Sequence, residues 1–95
     1  MKKSHLPIKE SDVRKLTRDY LRLRGYYVLY FLQGLGCLPG LSDMAAIKDG
    51  RTLWLEIKKP GKGIQSDKQK AFQDEVERHG GEYRIIRGID DLEGL

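Results

Sequence analysis

Asp43, Glu56 and Lys58 combine residue types and a spacing that can do chemistry. Glu56 and Lys58 stand two apart in an alternating stretch, so both side chains leave one face of a strand. Asp43 opens the preceding strand, and Asp49-Gly50, a strong two-residue turn signal, joins the two. With that turn and no bulge, residue i stands opposite residue 99 minus i, which sets Asp43 against position 56. Direct cross-strand partners have Cβ atoms roughly 4.5–5.5 Å apart. Carboxylates that close repel each other, and a divalent cation removes the conflict. Hard oxygen ligands suit Mg2+ or Mn2+ rather than zinc. Such an ion polarises a phosphoryl oxygen and acidifies a water, while Lys58 can orient that water or neutralise charge growing on the phosphate. The chemistry is hydrolysis of a phosphodiester. Taken alone, the same triplet also fits a hairpin with a solvent-facing Glu56–Lys58 pair.

The elements that must position these residues read as helix, three strands, helix, strand, an α/β order. Residues 8–24 are expected to be helical, with Val13, Leu16, Tyr20 and Leu23 as the apolar stripe and Gly25 as the stop. Residues 26–32 are aromatic and aliphatic and read as a buried strand. Residues 33–42 hold three glycines and a proline, hence a loop. The hairpin strands are 43–48 and 52–58, with Leu53, Leu55 and Ile57 facing a packed helix. The face with Glu56 and Lys58 then needs a polar purpose. Ser66-Asp67-Lys68-Gln69 matches a capping box that starts a second helix, given apolar contacts by Phe72 and Val76 and closed by Gly80-Gly81. Residues 82–87 form the last strand, and 88–95 a short helix or loop.

Around the triplet, Lys59, Lys62 and Lys68 flank the site in sequence and are expected to contact phosphate. Arg14, Arg18 and Arg22 line one helix face. At least some of that row is solvated, and Arg14 is placed among the DNA contacts. Glu10, in the first helical turn, suits the helix dipole. Tyr26, Tyr27, Tyr30 and Phe31 are read as core, Gln33 as a loop residue able to line the site, and Cys37 as a bystander.

Composition sets the frame. Residues 1–95 suit one domain, whose thin core, burying roughly 60–65% of the unfolded surface, makes self-association plausible. The net charge of +4 points to an anionic partner, and the 18 basic and 14 acidic residues supply both phosphate contacts and metal ligands. One cysteine and two distant histidines argue against disulfides, structural zinc and His-based acid/base pairs. No apolar run approaches a membrane span, and Met-Lys-Lys leads into no apolar signal segment, so a cytoplasmic setting, in a bacterial or phage-infected cell, is expected.

Asp43-(x12)-Glu56-x-Lys58 resembles the catalytic motif of PD-(D/E)XK nucleases, and the element order resembles their restriction-endonuclease-like core, a mixed sheet flanked by helices. More narrowly, the chain resembles a stand-alone, phage-type VRR-NUC domain. The resembling stretches are Glu10-Ser-Asp-Val13, Leu23-Arg-Gly25-Tyr26, Pro39-Gly40-Leu41-Ser42-Asp43, Leu55-Glu56-Ile57-Lys58-Lys59-Pro60-Gly61, and Ser66-Asp67-Lys68-Gln69 leading to Phe72. The resemblance implies Asp43 and Glu56 as principal metal ligands, with Glu10 and the Ile57 backbone carbonyl as further ones. It implies Lys58 as catalytic lysine and Gln69 as an active-site glutamine. The Val-Arg-Arg tripeptide that names the family is absent, which bears on the basic substrate contacts more than on catalysis.

The expectation is a Mg2+- or Mn2+-dependent DNA endonuclease that uses no nucleotide cofactor. Nothing is left over to read bases in the major groove, so it would select DNA structure rather than sequence. A twofold homodimer would place two sites symmetrically on branched DNA such as a four-way junction. The rivals are a non-catalytic nucleic-acid-binding module with a nuclease-like fold and a site-specific restriction-type nuclease.

Overall fold

A computed structural model of the chain describes residues 9–33 and 36–95. Ile8 of the expected helix, and Gly34 and Leu35 of the expected loop, lie outside the described residues.

Helix α1 spans Glu10–Leu23. At its start the Asp12 carboxylate accepts the Lys9 backbone N–H at 3.0 Å. It closes in a Schellman motif, with Gly25 N–H on Arg22 O and Tyr26 N–H on Leu21 O, both at 3.0 Å. The buried residues are Val13, Thr17 and Leu21; of the expected Val13–Leu16–Tyr20–Leu23 stripe, Val13 is buried and Tyr20 packs against the core, but Leu16 and Leu23 are exposed. Leu23 is 88% exposed. The polar-looking Thr17 hid the true face: its hydroxyl donates to Val13 O at 2.7 Å and is thereby satisfied in the core.

Strands β1 (Tyr27–Tyr30), β2 (Met44–Lys48) and β3 (Arg51–Ile57) form an antiparallel meander. Helix α2 (Asp67–Arg78) then carries the chain across to β4 (Glu82–Ile86), which pairs parallel to β3. The result is a four-stranded mixed sheet in the order β1-β2-β3-β4, a small α/β fold with the expected element order. A one-turn 3-10 helix, Ile89–Leu92, follows and docks through Leu92 and Leu95. Among the described residues, no helix is long and apolar enough to cross a membrane.

The hairpin forms as its turn residues require. Asp49 and Gly50 carry φ of 51° and 80°, the type I′ conformation, and Met44↔Leu55 through Lys48↔Arg51 keep the register of 99 minus i. On one face Leu53, Leu55 and Ile57 are almost fully buried against Val13 and Leu21 of α1, Ile86 and Leu92. Each such side chain contributes about 1.5–3 kcal/mol when removed from water.

The opposite face differs from the solvated polar face that alternation allowed. A row of rings crosses it: Phe31 stacks on Trp54 at 5.8 Å, Trp54 meets Phe72 edge-on at 5.8 Å, and Phe72 meets Tyr83 at 6.0 Å. α2 lies over this row through Phe72 and Val76, yet none of its own residues is fully buried. β1 is an edge strand rather than the fully buried strand expected. Tyr26 belongs to the core, but Tyr27 and Tyr30 are exposed, Tyr27 on the face opposite buried Val28 and Tyr30 at the end of the strand.

Candidate active site

The site gathers where β2 begins and β3 ends. Asp43 precedes β2 and is tied to both neighbours: its carbonyl accepts Phe31 N–H, and its N–H donates to Leu55 O, each at 3.0 Å. Leu55 is already the partner of Met44. Two residues thus address one, which is a β-bulge, and a bulge re-aims the side chain it carries. This corrects the expectation that Asp43 stands squarely opposite Glu56. The Asp43 carboxylate instead takes the Ile57 backbone N–H at 2.7 Å through one oxygen. Its other oxygen lies 3.4 Å from Arg14 Nη2, reaching in from α1.

Glu56 is 0% exposed and lies on the α2 side of the sheet. The Tyr83 hydroxyl donates to its Oε1 in a very short contact, and Gln65 Nε2 donates to the same oxygen at 3.3 Å. Gln65 also reaches Gln73 Oε1 at 2.9 Å, which anchors it to α2. Burial first, and the Glu56 carboxylate second, push the Tyr83 hydroxyl well above the ordinary phenol range, so it is a standing donor. The second oxygen, Oε2, is buried with no hydrogen-bond partner among the described residues, although Lys58 Nζ lies 3.2 Å away. The ammonium supplies charge there, but not a hydrogen bond of good direction.

Lys58 just past β3 is itself held. Its Nζ donates to Gln69 Oε1 at 3.0 Å, and that same oxygen accepts Ser66 N–H at 2.9 Å, while Ser66 Oγ accepts Gln69 N–H at 3.1 Å. The capping box and the lysine contact are therefore one arrangement, with the start of α2 setting the lysine's position. An ammonium has three donors, so Lys58 keeps some to offer outward.

Among the other predicted site residues, Glu10 meets Arg14 Nη2 at 3.0 Å, the same nitrogen that faces Asp43. Lys59, Lys62 and Lys68 are exposed at the rim. The turn that carries Lys59 and Lys62 is pinned by Arg87, whose Nη1 donates to the carbonyls of Lys62 and Gly63, while Lys68 stands in the first turn of α2. Gln33 holds the loop before Asp43 by donating to Leu41 O at 3.3 Å and Ser42 O at 3.1 Å. Cys37 Sγ lies 4.0 Å from Gln33 Oε1, a weak contact.

Glu10 and Asp43 thus share one guanidinium on the α1 side, and Glu56, Lys58 and Gln69 meet on the α2 side. Among the described residues, no group of three His, Cys, Asp or Glu is placed to hold a metal ion. A hard divalent ion needs less: Mg2+ keeps several waters and takes one or two carboxylates. The buried Oε2 of Glu56, ion-paired with Lys58 but without a hydrogen bond, fits one ligand position of such an ion.

Sequence reasoning missed Tyr83 and Gln65. Tyr83 shares the face of Trp54 only because β4 runs parallel to β3 in that register, which no local signal gives. It also missed that Arg14 turns inward. No family model and no curated protein matches the chain.

Proposed function

We propose that this chain is a Mg2+- or Mn2+-dependent DNA endonuclease with a PD-(D/E)XK core of the VRR-NUC type. The observation that carries the reading is Glu56: a fully buried carboxylate with one oxygen fixed by Tyr83 and Gln65 and the other left without a hydrogen bond beside Lys58. Burying a charge is costly unless it is paired; Lys58 supplies the pair, and the oxygen left without a hydrogen bond supports a ligand there.

In this reading Asp43, Glu56 and the Ile57 carbonyl would hold the ion, with Glu10 joining directly or through water. The bound ion supplies charge stabilisation at the scissile phosphate and eases deprotonation of water. The chain's own residues do the rest. Tyr83 and Gln65 fix the Glu56 carboxylate so that Oε2 faces the site. Gln69 holds Lys58, whose remaining N–H donors orient the attacking water or meet charge developing on the phosphate oxygens. Lys59, Lys62 and Lys68 grip the backbone on either side without reading sequence. A twofold dimer would present two such sites to a branched substrate such as a four-way junction.

The test is cleavage of labelled duplex, flap and four-way-junction DNA with Mg2+, Mn2+ or EDTA. Metal-dependent cutting, strongest on the branched substrates, is expected. Binding without cutting in any metal would replace this reading with a non-catalytic binding module, and discrete fragments from plasmid would make the enzyme site-specific.

A further inference from the structure

One nitrogen, Arg14 Nη2, lies 3.0 Å from a Glu10 oxygen and 3.4 Å from an Asp43 oxygen. It comes from α1, and its side chain is 32% exposed, against 18% for Asp43. A guanidinium that bridges two carboxylates is doing what a cation between them would do. We infer that Arg14 is a built-in counter-cation that competes with the divalent ion for Asp43 and Glu10, and that metal loading requires it to swing away. This inference rests on the proposed metal site and adds an occupant to it.

Three features support the exchange. The Asp43 oxygen that Arg14 approaches is not the one fixed by the Ile57 N–H, so it is the one open to a new partner. The 3.4 Å contact is long for a charge-assisted hydrogen bond, which runs about 2.7–2.9 Å, so it is the weaker of the arginine's two links. The 3.0 Å link to Glu10 is an i,i+4 pair on an exposed helix surface, a class of interaction easily released. Arg14 therefore neutralises the acids without being locked in place. A divalent ion on the same carboxylates and the guanidinium repel each other, so removing the arginine's charge favours the metal.

The experiment is Mn2+ titration by calorimetry, without DNA, of the wild-type chain, Arg14→Gln and Arg18→Gln. Arg18 pairs with Asp19 at 2.9 Å on the same helix, so R18Q makes the same change in net charge away from the acids. Circular dichroism confirms that both variants fold. R14Q is expected to bind Mn2+ about fivefold more tightly than wild type, the size of one partly exposed ion pair. R18Q is expected to stay within about twofold of wild type. An R14Q affinity equal to that of R18Q, or weaker, would overturn the inference while leaving the metal site intact. Failure of all three proteins to bind Mn2+ would overturn the metal site itself and this inference with it.

Discussion

Gly40 offers the sharpest test of how the site is assembled. It lies in the loop that leads into Asp43, with a φ of +81°, and a Cβ built there would sit 2.1 Å from Lys68 O and 2.9 Å from Gln69 N. Those are backbone atoms in the first turn of α2, which carries the glutamine that holds Lys58. Ordinary contact begins near 3.4 Å, so the loop or the helix must move by about 1.3 Å (3.4 minus 2.1). Gly40→Ala therefore meets two costs. Left-handed backbone in a residue with a Cβ costs about 1–2 kcal/mol, and forced overpacking against atoms that cannot rotate away adds about 1–3 kcal/mol. The sum, about 2–5 kcal/mol, is a large part of the ~5–14 kcal/mol available to a domain of this size. Gly36, in the same loop, has a φ of +91° but nothing within 4 Å of its built Cβ, so Gly36→Ala meets only the first cost. At about 4–8 °C per kcal/mol, thermal melts should fall by about 8–40 °C for Gly40→Ala and by about 4–16 °C for Gly36→Ala. Equal melting temperatures for the two variants would refute the close seating of this loop on α2, and with it the argument that α2 and Asp43 are positioned together.

Further predictions concern the acids and their holders. Tyr83→Phe removes one hydroxyl from a buried carboxylate and should destabilise by about 1.5–3 kcal/mol in urea titration while preserving the fold; an unchanged midpoint would show that Glu56 does not depend on it. Lys58→Ala should reduce cleavage at least about 100-fold while leaving Mn2+ affinity within a few-fold, and wild-type rates in that variant would remove Lys58 from the mechanism. Glu82 is held below its ordinary carboxyl value by the Arg51 guanidinium, so its contribution to stability is present above about pH 4.5 and fades as pH falls through its lowered value. Solvent screening keeps the effect small, and the melting-temperature gap between wild type and Glu82→Gln should close in acid; a gap independent of pH would contradict the pairing.

The sequence was most informative where local chemistry decides structure. Asp49-Gly50 set the hairpin and its register, and Ser66 with Gln69 set the start of α2, because turn and cap preferences act within a few residues. Leu53, Leu55 and Ile57 were legible as core from their alternation. Longer-range effects were not. The bulge at Asp43 needs two strands to be seen, since only the competing claim on Leu55 reveals it. Tyr83 reaches Glu56 through the parallel pairing of β3 and β4, which lies beyond any local pattern. Thr17 was passed over as polar, though a hydroxyl that bonds to the preceding turn can sit in a core. The arginine row read as a charged helix face, while one member of it, Arg14, answers to carboxylates that only the fold brings near.

The central claim is that Asp43 and Glu56 hold one hard divalent ion between the end of β3 and the start of β2. An anomalous difference map from a crystal soaked in Mn2+ tests this most directly. The account predicts a peak bonded to an Asp43 oxygen and to Glu56 Oε2, with Arg14 withdrawn from Asp43. A map with no peak there, Glu56 Oε2 still facing only Lys58 and Arg14 still on Asp43, would contradict it.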